Sequence, residues 1–394
     1  MAVPAGGQRL LTPAFLLLGV ADLAYFTAVG TAVHTLPLYA TGPIGSTEAG
    51  AGLAFGAFGA TALVCRPFAG RLSDTRGRIP LIVFGAVLAA VGMVLLPFVD
   101  SLAAVVAIRL LQGVAEAAFF VASFAMLADI APPERFGEAL SYNSLGLYLG
   151  LALGPPCAEA LIERWGYDEA WFGATALCVL TAGLALLIGE PVREHDEGGH
   201  GRLIHRPGIP ASLGFFASLA AVGGFVAFAS LHSEDLGMSN VSLALLVYGV
   251  VVVVCRLVFA KVPDRLPALP LGAASLAAIG SGLVVMAVWQ RPAGLLIGVV
   301  ISAVGVTFST PAFFAAIFAT AAPSERGAAS GTASAFIDLG LGFGPIALGL
   351  VADAAGIPWA FAAGAAFAFA GALWTLALVA RGQPSRISST SGEP

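Results

Sequence analysis

Charge is scarce in this chain. Only 10% of its 394 residues are Asp, Glu, Lys or Arg, against about 25% in an ordinary soluble domain. That excludes a soluble enzyme and a charged, disordered tail protein. Lys261 is the one lysine among 18 basic residues. Amide side chains are nearly missing: Asn143, Asn240, Gln8, Gln112, Gln290 and Gln383 are all there are. A sugar or nucleoside site needs several fixed donors and acceptors to replace lost water bonds, and this chain offers few. The four cysteines, Cys65, Cys157, Cys178 and Cys255, show no CxxC or Cys/His metal spacing, which excludes a disulfide scaffold and a cysteine metal site. They read as small buried hydrophobes. No GxxxxGK[ST] loop supports ATP drive. A net charge of −5 gives no hint of nucleic acid. No cofactor, metal or nucleophile constellation is seen, and no enzyme activity is expected.

What the chain has is apolar length. Hydrophobic residues make up 58% of it, and mean hydropathy is +0.93. A spanning helix needs about 20 apolar residues, because the hydrocarbon core is about 30 Å thick. Punctuation by Pro, Gly and charge predicts twelve spans, near 13–38, 47–67, 80–99, 102–128, 138–162, 168–189, 209–232, 241–260, 270–289, 293–320, 328–352 and 357–380. The runs are too long and uniform for barrel strands. The fold class is therefore all-α integral membrane. The first run reads as a span and not as a cleaved signal.

Basic residues set the orientation. With both termini inside, fifteen of the 18 fall in inside segments: Arg9, Arg66, Arg71, Arg76, Arg78, Arg135, Arg193, Arg202, Arg206, Arg256, Lys261, Arg265, Arg326, Arg381 and Arg386. Only Arg164 and Arg291 fall outside, and Arg109 lies within a span. The expected location is a bacterial cytoplasmic membrane, multi-pass, with cytoplasmic termini. Glu190 to Pro210 is the longest polar interruption and divides the chain into 1–190, a cytoplasmic linker 191–208, and 209–394 with a short cytoplasmic tail. His195 and His200 in the linker read as solvated loop residues, not metal ligands.

The halves overlay at a constant offset. Cys65-Arg66 matches Cys255-Arg256, Asp74 matches Asp264, and Pro80-Leu81 matches Pro270-Leu271. Gly137 matches Gly327, Gly150 matches Gly340, and Gly154-Pro155 matches Gly344-Pro345. Each pair differs by 190, as 256 − 66 shows. Parallel repeats put a substrate site between the halves near the midplane.

Three segments carry a resemblance. Gly70-Arg71-Leu72-Ser73-Asp74-Thr75-Arg76-Gly77-Arg78 follows span two. Its glycines would allow a tight turn at the membrane surface, and Asp74 can face a helix N-terminus or a basic side chain. Arg109-Leu110-Leu111-Gln112-Gly113-Val114-Ala115-Glu116-Ala117 lies in span four, and Gly150-x-x-x-Gly154-Pro155 in span five. Together they resemble the major facilitator superfamily, and within it the twelve-span drug/proton antiporter branch. The resemblance implies twelve helices in two pseudo-symmetric six-helix bundles. It also implies a gating loop at Gly70, Asp74, Gly77 and Arg78, with a degenerate second copy at Asp264. Gly150, Gly154 and Pro155 are then a helix-packing motif, although Ala158-Glu159 stands where the antiporter pattern has two glycines. Glu159, near the outer end, reads as a wet surface carboxylate.

Asp22, Arg109, Glu116 and Asp338 lie well inside spans, where a charge is costly and marks an ion path. Glu116 is seven residues from Arg109, on the same face two turns along, so coupling through water or another span is expected rather than contact. Burial favours the protonated form of a carboxyl group, the property a proton carrier uses. The counterparts of Asp22, Arg109 and Glu116 are Ser212, Val299 and Val306, so the shared scaffold does not demand these charges. The expected proton-coupling set is Asp22, Arg109 and Glu116. The expected substrate-lining set is Tyr25, Phe26, Gln112, Phe120, Asn143, Phe308, Thr310 and Asp338, a wall suited to an amphipathic molecule. His34, near the outer end of span one, reads as interfacial. The expected activity is proton-coupled efflux of a small drug or natural product by alternating access, from a monomer. The alternative is a facilitator of a sugar or organic anion, with Arg109 as anchor.

Overall fold

A computed structural model of the chain describes residues 10–132, 135–190, 204–322 and 325–382. The linker expected at 191–208 lies outside them up to residue 203, with His195 and His200, as do the tail from 383 and the side chain of Asp264. The first half holds α1 (Pro13–Thr41), α2 (Glu48–Arg76), α3 (Arg78–Leu95), α4 (Leu102–Ile130), α5 (Phe136–Trp165) and α6 (Tyr167–Ile188). The second holds α7 (Ile209–Asp235), α8 (Leu243–Val258), α9 (Ala268–Val288), α10 (Pro292–Phe318), α11 (Arg326–Ala355) and α12 (Ile357–Gly382). All but α8 belong to segments long and apolar enough to cross a membrane.

Helix ends follow local chemistry. Thr12 caps α1 by accepting from Phe15 N, and Thr47 caps α2 by accepting from Gly50 N, each satisfying a donor that has no partner within its helix. α8 is shorter than the span expected at 241–260. Its 16 residues reach about 24 Å at about 1.5 Å per residue. Pro263 follows, inside a one-turn helix at Val262–Arg265. The twin segment in the first half stays helical to Arg76. Gly70 is therefore helical, and the turn falls on Gly77 alone, with φ of 115°, a value that favours glycine.

The two halves repeat one packing scheme. α1 lies along α5 and α6, as α7 lies along α11 and α12; α3 packs on α4 and α6, as α9 packs on α10 and α12. The helix-packing motif lies at close backbone contacts within each half. A methyl on Gly154 would lie 2.5 Å from Gly30 Cα, and one on its twin Gly344 would lie 2.1 Å from Ala220 O. Small residues let backbones approach this closely. The halves meet along α2 with α11 and α5 with α8, and more lightly along α1 with α7.

Candidate functional site at the interface of the halves

Helical periodicity builds the first cluster. Asp22 and Tyr25 share one face of α1, and Glu116, Phe119, Phe120 and Ser123 share one face of α4. Asp22 accepts from Ser123 Oγ and from Asn143 Nδ2, each at 2.7 Å. The Tyr25 hydroxyl donates to Glu116 Oε2 at 3.1 Å, and its ring stacks on Phe119 with centroids 3.7 Å apart. Phe26 packs edge-on against both rings. Both carboxylates are thus held by neutral donors.

Arg109 is buried and turned toward α2. Its Nε donates to Ala54 O at 3.1 Å, its Nη2 to Phe55 O at 3.2 Å, and its Nη1 to Gln112 Oε1 at 2.7 Å. Its guanidinium lies 4.9 Å from the Phe58 ring centroid. It does not touch Glu116 but lies within electrostatic range of it. Gln112 also donates to Met93 Sδ in α3 at 3.3 Å. The structure therefore puts Gln112 in the core of the first half and not with the residues that face the second, because satisfying Arg109 turns it inward.

Arg66, counted with the inside segments at the end of the span expected at 47–67, is not at the helix end. α2 continues past it for almost three turns, so Arg66 lies within the helix. Its Nε and Nη2 donate to both carboxylate oxygens of Asp338 on α11, the second at 2.7 Å. The guanidinium rests 4.7 Å from the Phe120 ring centroid. Glu116 lies within electrostatic range of both Arg66 and Asp338. Arg256, likewise counted with the inside segments, lies in the last turn of α8. Its Nη2 donates to the Tyr148 hydroxyl on α5 at 2.7 Å, and it lies 4.1 Å from that ring centroid.

Two further corrections concern the face opposite the termini, here called the distal face. Glu159 is not a wet surface carboxylate: it accepts from Val241 N, Ser242 N and Ser242 Oγ, closing α5 onto the start of α8. His34 is buried, its Nδ1 2.9 Å from Ser230 Oγ on α7. A methyl on Gly56 of α2 would lie 2.2 Å from Gly342 O of α11. Three contacts thus join the halves on the distal side. None could be found from one helix's periodicity, since each pairs residues from different halves.

On the termini face, Arg78 donates to Asp74 Oδ1 at 2.5 Å, to Ser73 Oγ at 3.0 Å and to Asp129 Oδ2 at 2.8 Å. Glu190 accepts from Arg78 N and Ile79 N at 2.6 and 2.9 Å. The loop expected to gate binds groups of its own half here. Phe308 is half-buried with its ring near Phe259, and Thr310 is half-buried on α10.

Two six-helix halves related by a repeat, meeting along α2–α11 and α5–α8 with buried charge between them, define a two-half membrane carrier. The Major Facilitator Superfamily sequence profile matches residues 18–315. The chain belongs to that superfamily and is a multi-pass membrane transporter for a small-molecule substrate. It is 27% identical over 383 residues to an uncharacterised MFS-type transporter of Salmonella typhimurium, covering 94% of this chain and 97% of that one. It is 29% identical over 373 residues to one from Burkholderia mallei, covering 91% and 90%. Among solved structures it resembles a bacterial homologue of the human lysosomal transporter Spinster, inward-facing and occupied, with a TM-score of 0.78 at 16% identity over 95% of this chain and 98% of that one. The nucleoside transporter NupG gives 0.77 at 15% over 93% and 99%. The human organic anion transporter MFSD10 gives 0.71 at 16% over 93% and 100%. At such identities the likeness concerns the fold.

Proposed function

We propose that the chain is a proton-coupled exporter of small amphipathic compounds, working by alternating access between its halves in a bacterial cytoplasmic membrane. One observation carries the reading. Asp22 is buried and Glu116 half-buried in the first half, and both are held by Ser123, Asn143 and Tyr25, donors that leave each carboxyl group free to exist with or without a proton. Glu116 also lies within electrostatic range of Arg66 and Asp338, the pair that bridges the halves. A proton on Glu116 removes a charge that competes with Asp338 for Arg66. Loading a proton then changes the bridge, which is the link a coupled carrier requires.

The positive-inside bias supports termini facing the cytoplasm. With the distal contacts made, this conformation is then closed to the outside. The aromatic residues against the two interhalf arginines, Phe120 at Arg66 and Tyr148 at Arg256, suit an amphipathic cargo. Arg109 as an anion anchor is weakened by its bonds to Ala54, Phe55 and Gln112, which occupy its guanidinium.

The test is flux. Protein reconstituted in liposomes with an imposed pH gradient should move a fluorescent lipophilic dye and protons in opposite directions. Glu116→Gln and Asp22→Asn should abolish the pH response. Flux that keeps its full pH dependence in both variants would reject the reading.

A further inference from the structure

The repeat lets the two interhalf arginines be compared position by position. Arg66 on α2 and Arg256 on α8 are twins, since 66 + 190 = 256. Their partners are twins as well. Asp338 on α11 corresponds to Tyr148 on α5, since 148 + 190 = 338. The scaffold therefore makes one contact twice, with different chemistry. Around Arg66 it places two carboxylates, Asp338 in contact and Glu116 within electrostatic range. The same two positions around Arg256 hold Tyr148 and Val306. Thr310 on α10 replaces Phe120, whose ring covers Arg66.

Among the described residues Arg256 is consequently a half-buried cation without a counter-charge. Among the described residues no carboxylate lies within ion-pair distance of it. Its Nε is buried and has no hydrogen-bond partner among the described residues. Its Nη2 donates to the Tyr148 hydroxyl. A cation and a donor withdrawn from water are costly unless an anion meets them. A guanidinium presents its donors as a planar fork that matches a carboxylate at two points. The neighbouring Tyr148 ring adds an apolar wall.

We propose that Arg256, with Tyr148 and Thr310, binds the anionic head of the transported molecule, and that the substrate class is an amphipathic organic carboxylate. The substrate supplies to Arg256 the carboxylate that Asp338 supplies to Arg66. The inference rests on the transport reading above for its cargo, but not on proton coupling.

The experiment uses purified full-length protein in a zwitterionic detergent, with binding read from intrinsic fluorescence and from thermal unfolding. The probes are arene carboxylates of one to three rings, including naphthalene-1-acetate, each with its primary amide and its ammonium analogue. Wild type should favour carboxylate over amide by about tenfold or more, as expected for a hydrogen bond to a charged group. Arg256→Gln should erase the preference, and Arg256→Lys should retain part of it. Tyr148→Asp is the decisive variant. It recreates the Arg66–Asp338 chemistry around Arg256, so it should fold at least as stably as wild type and lose the carboxylate preference. A merely structural arginine would be stabilised by that change with anion binding unmoved.

Three binding results would overturn the proposal: no carboxylate preferred over its amide, a preference unchanged in Arg256→Gln and Tyr148→Asp, or Arg256-dependent stabilisation by phosphatidylglycerol but by no carboxylate. Proton-driven flux of neutral or cationic dyes without anion preference would remove this inference and leave the coupling reading. Arg256-dependent anion binding with pH-insensitive flux in wild type would do the reverse.

Discussion

Arg66 and Asp338 lie 272 residues apart and meet as a two-point ion pair, one in each half of the molecule. The Asp338 side chain is 2% exposed and that of Arg66 14%. A pair this far from water is costly to make and more costly to break on one side, because the remaining partner is left charged and buried. Its place between α2 and α11, with Glu116 in range, makes it the joint through which a protonation event in the first half can reach the second.

That arrangement predicts strong non-additivity. Arg66→Gln and Asp338→Asn should each lower the thermal stability of the purified protein, by an amount on the order of 3–5 kcal/mol if the remaining charge stays buried. The double variant should lose less than the sum, by a coupling energy of about 1–3 kcal/mol. A double-mutant cycle in detergent checks this. Additive losses would show that the two side chains act independently.

The glycine contacts between α2 and α11 predict a conformational effect. Methyl groups at Gly56 and Gly59 would lie 2.2 Å from Gly342 O and 2.7 Å from Asp338 O. Both clashes are with backbone, so the helices must separate. Gly56→Ala should wedge the distal side open. In a cysteine-free background carrying Ser230→Cys, a membrane-impermeant maleimide applied from the distal side should label Gly56→Ala protein faster than the parent, by about fivefold or more for a shift of about 1 kcal/mol. Equal labelling would mean that the distal contacts tolerate the methyl.

Much of this was legible in the sequence. Twelve apolar runs, the basic-residue bias and the offset of 190 gave the helices and the two halves, because span length and repeat are properties of the chain itself. Asp22, Arg109, Glu116 and Asp338 stood out as charges in apolar context. Arg66 did not, because it stands at the very end of the span expected at 47–67 and reads there as a basic residue of the inside surface, whereas its helix runs on to Arg76. Glu159 and His34 escaped for another reason: their partners, Ser242 and Ser230, lie in the other half. The repeat did carry a usable signal. It pairs Arg66 with Arg256 and Asp338 with Tyr148, a substitution that can be read without coordinates once those positions are known to touch.

Arg109 should behave as a structural residue. It satisfies the carbonyls of Ala54 and Phe55 on α2, and a lysine has no planar fork to hold both. Arg109→Lys should lower stability by about 1–3 kcal/mol, the cost of a buried acceptor left unpaired. Carboxylate selectivity should remain. Thermal unfolding together with the carboxylate-against-amide comparison separates the two roles. Loss of selectivity at unchanged stability would restore Arg109 as an anion anchor.

Glu159 supplies the last prediction. Its carboxylate accepts from two backbone amides and a hydroxyl at the start of α8, and His34 lies within its electrostatic range. Its twin position on α11 is Gly349, and the twin of Ser242 is Gly52, since both differ by 190. There the halves meet by close backbone approach, with a methyl on Gly52 reaching 3.1 Å from Gly349 Cα. One seal is therefore polar and the other steric. Glu159→Gln keeps the volume but replaces one accepting oxygen with a donor, which then faces other donors. The polar seal should weaken by about 1.5–3 kcal/mol, while the glycine seal stays intact. The distal side should then open along α5–α8 only. Cysteine pairs placed across each seam report this, with cross-linking falling at α5–α8 and unchanged at α2–α11. A fall at both seams would show that the halves separate as rigid bodies and that neither seal acts alone.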